Sequence, residues 1–196
     1  MNFKMAGKLV FIMGMPRSGT TIVAEVLGQH SKVVALIEKA EHYPISPFVE
    51  EKLKEGKVVV QKMPQRCLRL VEHLRQFPNA KFILMTRNLM DIIRSYKAYP
   101  NPAALQVEGI YDPREIWCAY INSILPYLDH PRCLHVRLED FILRKMETLK
   151  RIFNFLDLEL EPQVVEFVKK YVKNEPLKDY PLTASSFQRF KVSKNG

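Results

Sequence analysis

Residues 8 to 21, KLVFIMGMPRSGTT, pass from an apolar run through a small polar loop bounded by Gly14 and Gly19 to a segment ready to begin a helix at Thr20. A buried strand that feeds a glycine loop and then a helix N-terminus leaves backbone amides aimed outward, and such amides bind anions. The glycines have the spacing of the nucleotide P-loop, G-x-x-x-x-G-K-[ST], with one displacement: Thr20 stands at the lysine position and the loop's cation is Arg17. A phosphate loop is expected over Pro16, Arg17, Ser18, Gly19, Thr20 and Thr21; a tight turn whose glycines merely permit positive φ is the plainer alternative.

The rest of the chain alternates. After a helix from Thr20 to about Gln29, the runs 32–37, 57–62, 80–87 and 133–138 are short and β-branched or apolar, as strands are. Between and after them, 47–56, 67–77, 146–158 and 163–174 have helical spacing, the first closed by Gly56. Asn88 is placed to cap a further helix, with Asp91 reaching back to the exposed amides, and Asp112, Pro113 and Glu115 form a strong start signal for another. Strands separated by helices imply parallel βαβ units. The expected fold is therefore α/β, three layers, with a mainly parallel five-stranded sheet flanked by helices, similar to the P-loop nucleoside triphosphate hydrolases. Ligands of such sheets sit at the carboxyl ends of the strands, which brings Met13 to Gly19, Glu38, Lys62 and Arg87 to one edge.

At 196 residues and 47% apolar composition the chain is expected to form one domain over 1–196, with a polar, irregular tail from about residue 175. The apolar run near the start is about eight residues, too short for a membrane span, so a cytoplasmic location is the default expectation. Cys67, Cys118 and Cys133 contain no C-x-x-C pair, so buried thiols are expected rather than disulfides or zinc ligands. The net charge of +9 points to an anionic ligand. Aromatic and basic residues are not interleaved as RNA readers require, so nucleic acid is not the expected partner.

Two stretches together carry a family resemblance. PRSGTT, followed by AKFILMTRNLMDIIRSY, resembles the two cofactor motifs of the sulfotransferases that use 3'-phosphoadenosine 5'-phosphosulfate (PAPS). QKMPQRCLRLVEHLRQFPNAKFILMTRN is similar to the family's Lys-x-Pro segment, helix and second motif. HVRLEDFILRKMETLKRIFNFLDLEL is similar to its R-Y-E-D-L stretch and following helix. The pattern is closest to Golgi-type and bacterial members, which carry Arg in the first loop. Leu138 replaces a tyrosine whose ring often lies near the adenine, and Asn88-Leu89 replaces the usual Asp-Pro.

The resemblance implies a set of roles. The first motif would hold the 5'-phosphosulfate, while Arg87 and Ser95, eight residues apart, would hold the 3'-phosphate. Arg17 and Lys62 would meet the charge growing on the leaving 5'-phosphate, without a metal. Glu38, just after the second strand, would be the base that takes the acceptor's proton, with His42 and Glu41 as alternatives. Lys191 and Lys194 in the tail would belong to a late basic loop over the cofactor. The product would be 3'-phosphoadenosine 5'-phosphate (PAP), and the acceptor a small molecule of unstated identity bearing a hydroxyl or amine. A P-loop kinase would share the loop but needs its lysine on the β and γ phosphates. A non-catalytic binder of nucleotides or polyanions would need no base. The sequence does not set the oligomeric state.

Overall fold

The computed structural model describes residues 6–37, 46–98, 110 and 112–172. Five strands, β1 (Lys8–Gly14), β2 (Val33–Ile37), β3 (Val58–Lys62), β4 (Lys81–Thr86) and β5 (Cys133–Arg137), form one sheet in the order β2-β3-β1-β4-β5. Each adjacent pair is parallel. Past Lys8, every residue of β1 is buried, because helices cover both faces of the sheet.

One face carries α1 (Thr20–Leu27), α6 (Leu138–Leu143), α7 (Lys145–Leu156) and α8 (Pro162–Tyr171), packed on Val10, Ile12, Val58, Val60, Ile83 and Met85. The other carries α2 (Pro47–Lys54), a 3-10 segment (Pro64–Arg69), α3 (Leu70–Gln76), α4 (Leu89–Ala98) and α5 (Pro113–Ile124), packed on Leu9, Phe11, Met13, Val59, Phe82 and Leu84. Successive strand residues point to opposite faces, so each strand supplies both cores. The two faces make the expected three layers.

Several boundaries differ from the sequence expectation. The helix expected over 67–77 is a 3-10 segment followed by a short α-helix, because Pro64 opens the turn early. Leu138 ends no strand; it is the first residue of α6, which the strand expectation over 133–138 missed. Asn88 does cap α4, accepting from the Met90 amide at 2.8 Å. Asp91 does not reach back, however: it pairs with Arg94, and Glu139 takes the Asn88 amide at 2.7 Å. Asp112 caps α5 through the Arg114 amide at 2.8 Å, as its signal implied.

The cysteines are all free thiols; Cys67 and Cys133 are buried, but Cys118 is exposed on α5, contrary to expectation. Among the described residues no helix is long and apolar enough to cross a membrane. Glu38, Glu41, His42, Lys191, Lys194 and the tail lie outside the described residues.

Candidate active site

The strand register lines up the carboxyl edge. Ile12 and Ile37 both pair with Lys62, and Gly14 pairs with Met85, so the first loop, the end of β3 and the end of β4 open on the same rim. β1 lies between β3 and β4, where the chain leaves to one side through α1 and to the other after β4. Such a switch in strand order opens a crevice.

The loop from Gly14 to Gly19 turns sharply. Arg17 holds φ 75°, rare for a residue with a side chain, and Gly19 follows at φ 90°. The Ser18 amide donates to the Met15 carbonyl at 3.0 Å, closing the turn. Among the described residues no side chain caps the start of α1, and no acidic residue lies in its first turn. The helix therefore presents bare amides and the positive end of its dipole to the rim.

Three cationic side chains frame these amides. Lys62, at the last position of β3, is buried, and its Nζ donates to Thr21 Oγ1 at 3.2 Å. Arg17 Nε donates to Ser95 Oγ at 2.8 Å, although 78 residues separate them in the chain. Arg87, only 8% exposed, follows β4 and donates from Nη1 to the Arg17 carbonyl at 3.0 Å. The two sequence motifs thus form one hydrogen-bonded unit.

Arg87 is built in deeply. Trp117 on α5 donates from its indole nitrogen to the Arg87 carbonyl at 3.0 Å, fixing the backbone from behind. Burial lowers the pKa of the guanidinium, Asp91 and Glu139 push it back up, and Arg17 lowers it again. An arginine so placed remains charged. Its Nε is buried without a hydrogen-bond partner among the described residues, as is Ser18 Oγ in the loop. Buried donors left unpaired beside a cationic rim are what a bound oxyanion would satisfy. The donor set fits a ligand with two phosphate groups.

Of the residues expected from sequence, the structure brings together Pro16 to Thr21, Lys62, Arg87 and Ser95. Leu138, where the resemblance has a tyrosine, packs against the loop. It is buried, and an added Cβ at Gly19 would meet its Cδ1 at 2.5 Å, so it packs beneath the loop. Three contributors went unnoticed in the sequence. Trp117 gives no local signal, since its role depends on α5 crossing behind β4. Tyr96 follows Ser95, and its buried hydroxyl has no hydrogen-bond partner among the described residues; burial raises its pKa to about 12, with Arg17 lowering it. Glu25, a charge among the buried positions of α1, was the one visible anomaly.

Comparison with known proteins agrees with this geometry. The sulfotransferase domain family model matches residues 8–195. A Caenorhabditis briggsae protein, by name a candidate protein-tyrosine sulfotransferase, is 26% identical over 91% of this chain and 75% of its own length. A Drosophila melanogaster protein-tyrosine sulfotransferase is 24% identical over 83% of this chain, which spans only 41% of that protein. Among solved structures, the sulfotransferase domain of the Synechococcus PCC 7002 olefin synthase superposes with a TM-score of 0.67 at 16% identity, covering 97% of this chain and 95% of that one. With a loop, a lysine and a strand-end arginine converging on one rim, and a family match running from the first strand into the tail, the chain belongs to the sulfotransferases.

Proposed function

We propose that the chain moves the sulfuryl group from PAPS to an acceptor hydroxyl or amine at the rim formed by β1, β3 and β4. The observation that supports this reading is the 2.8 Å bond from Arg17 to Ser95, backed by Arg87 on the Arg17 carbonyl, because it joins the loop expected to hold the 5'-phosphate to the pair expected to hold the 3'-phosphate. The donor supplies an activated sulfuryl group and a phosphate leaving group. Ser95 and Arg87 would hold the 3'-phosphate, and residues Pro16 to Thr21 the 5'-phosphate. Arg17 and Lys62 would stand where negative charge grows on the leaving oxygen, the task preorganised donors perform best. Glu38 would take the acceptor's proton, with His42 and Glu41 as the other candidates, and Lys191 and Lys194 would cover the cofactor.

Two relatives are named for tyrosine, a phenol, which supports testing phenolic hydroxyls first, on small molecules and then on peptides. The free thiols support a reducing, cytoplasmic setting. The test combines binding and transfer. PAP should raise the melting temperature by mass action and AMP, lacking the 3'-phosphate, far less. With PAPS as donor, Glu38→Gln should lower turnover by about 10²- to 10⁴-fold while PAP affinity stays the same. Equal shifts for PAP and AMP would remove the 3'-phosphate site, and full activity in Glu38→Gln beside a collapse in His42→Ala would move the base to the histidine.

A further inference from the structure

Glu25 has no part in the reading above, yet it stands one turn beyond Thr21 on α1, and residues four apart share a helix face. Thr21 is the residue that receives Lys62, and the Lys62 charge also acts on the Glu25 carboxyl. The carboxyl is half-buried, and its Oε2 is fully enclosed with no hydrogen-bond partner among the described residues. Leaving a buried carboxylate oxygen unpaired is costly, so its retention asks for a reason.

Among the described residues, Lys62 is the charge that acts on this carboxyl. No other charged residue occurs between Thr20 and Leu27. From β1 and β2, α1 meets Val10, Ile12, Val33 and Ile37, all apolar. From α8 it meets a core of Val164 and Val168, while Glu166, Lys169 and Lys170 of that helix are exposed.

We propose that Glu25 is a positioning residue for Lys62: together with Thr21 it holds the ammonium against α1 in the absence of donor, and it yields the ammonium when the donor's anionic groups arrive. This rests on the reading of Lys62 as the cation that meets the leaving phosphate. A proton balance follows. Burial pushes the Glu25 carboxyl up to about 7, and Lys62 pulls the other way. When Lys62 turns toward a bound anion that pull weakens, so the carboxylate takes up a fraction of a proton from solvent and returns it when the product leaves. No other bond is made or broken.

Calorimetry of PAP binding to the full chain, in two buffers of different ionisation enthalpy, reads that proton directly. Measurements above about pH 7.5 avoid the second ionisation of the phosphates, near 6. The wild type should take up a fraction of a proton per PAP, and its affinity should fall as pH rises from 7 to 8.5. Glu25→Gln should take up none and bind PAP roughly 3- to 10-fold more tightly at pH 8.5, a shift of up to about one pKa unit. At pH 6, where both side chains are neutral, the two proteins should bind alike; a merely structural role would alter all pH values equally. Glu25→Leu, which removes the carboxyl but keeps the volume, should repeat the result and serves if the glutamine variant is unstable. No uptake in the wild type, or undiminished uptake in both variants, overturns the proposal. Lys62→Met separates the layers: if it turns over and binds like the parent, the Lys62 reading falls and this one with it. If it is crippled while Glu25→Gln keeps the uptake, only the role of Glu25 falls.

Discussion

Arg87 serves the scaffold and, in the proposed reading, the 3'-phosphate as well. Its Nη1 holds the carbonyl of Arg17, a residue with φ 75°, while its Nε is buried without a partner among the described residues. Left-handed backbone costs about 1–2 kcal/mol for a residue with a side chain, so something must hold the turn. Arg87→Ala should weaken PAP binding by about 1.5–3 kcal/mol, the range for a hydrogen bond to a charged group. Arg87→Lys should not restore it, because a single ammonium cannot replace a planar fork that points two ways. Ser95→Ala should lose less, about 0.5–1.5 kcal/mol. Titration calorimetry with PAP measures all three, and parent-like affinity in both alanine variants would show that the second motif has another purpose.

The loop and the helices around it work as a stack. Gly14 lies against β4: a Cβ there would stand 2.2 Å from the Met85 carbonyl oxygen, a backbone atom with nowhere to go. At Gly19 the obstacle is the Leu138 side-chain tip, which can turn aside, so the penalty is mainly its φ of 90°. Gly19→Ala should therefore cost about 1–2 kcal/mol in urea unfolding. Gly14→Ala should cost more, since β1 and β4 would have to part. The reverse order would mean the loop is not seated on β4 as described. α6 completes the stack: Leu138 supports the loop from beneath, and Glu139 receives the amide of Asn88 that opens α4.

Across the whole molecule, the edge of the sheet opposite the site is tied by charge. Asp157, at φ 54° where α7 ends, accepts from Lys8 of β1 at 2.8 Å and from Lys81 of β4 at 2.7 Å. Lys8 and Lys81 also donate to the Leu156 and Phe155 carbonyls at that helix end. The bonds from Lys8 and then Lys81 lower the Asp157 pKa to about 2. A depressed carboxylate pKa stabilises the fold above its unfolded value near 3.8, and this contribution is lost as pH falls toward 2. Asp157 is largely exposed, and exposed pairs are worth about 0–1 kcal/mol each, so the effect is modest. Asp157→Asn, which tolerates the same backbone, should melt slightly lower at pH 6, with the difference closing between about pH 4 and 2. PAP affinity should not change. A constant difference across that window would mean the carboxylate is not what joins α7 to the sheet.

Local physics explains how much of this was readable in advance. The glycine loop, the five strands and the Asp112 cap follow from apolar period, turn residues and helix-start chemistry, which act over a few residues. The same spacing, through the family resemblance, marked Arg17, Arg87 and Ser95. Four other features depend on residues far apart in the chain meeting in space: the hydrogen bond that merges the two motifs, the support of Arg87 by Trp117, the burial of Glu25 beside Lys62 and the seat of Leu138 under Gly19. Asp91 was misjudged for the same reason, since Glu139 comes from a strand away to take the amide that local capping had assigned to it. Sequence by itself determined which segments become strands and helices, and that a tight glycine loop follows β1, because those outcomes depend on neighbours in the chain. Only the tertiary structure decided which donors point at one another and which charges lose their water, because register, crossover and burial are properties of the packed sheet.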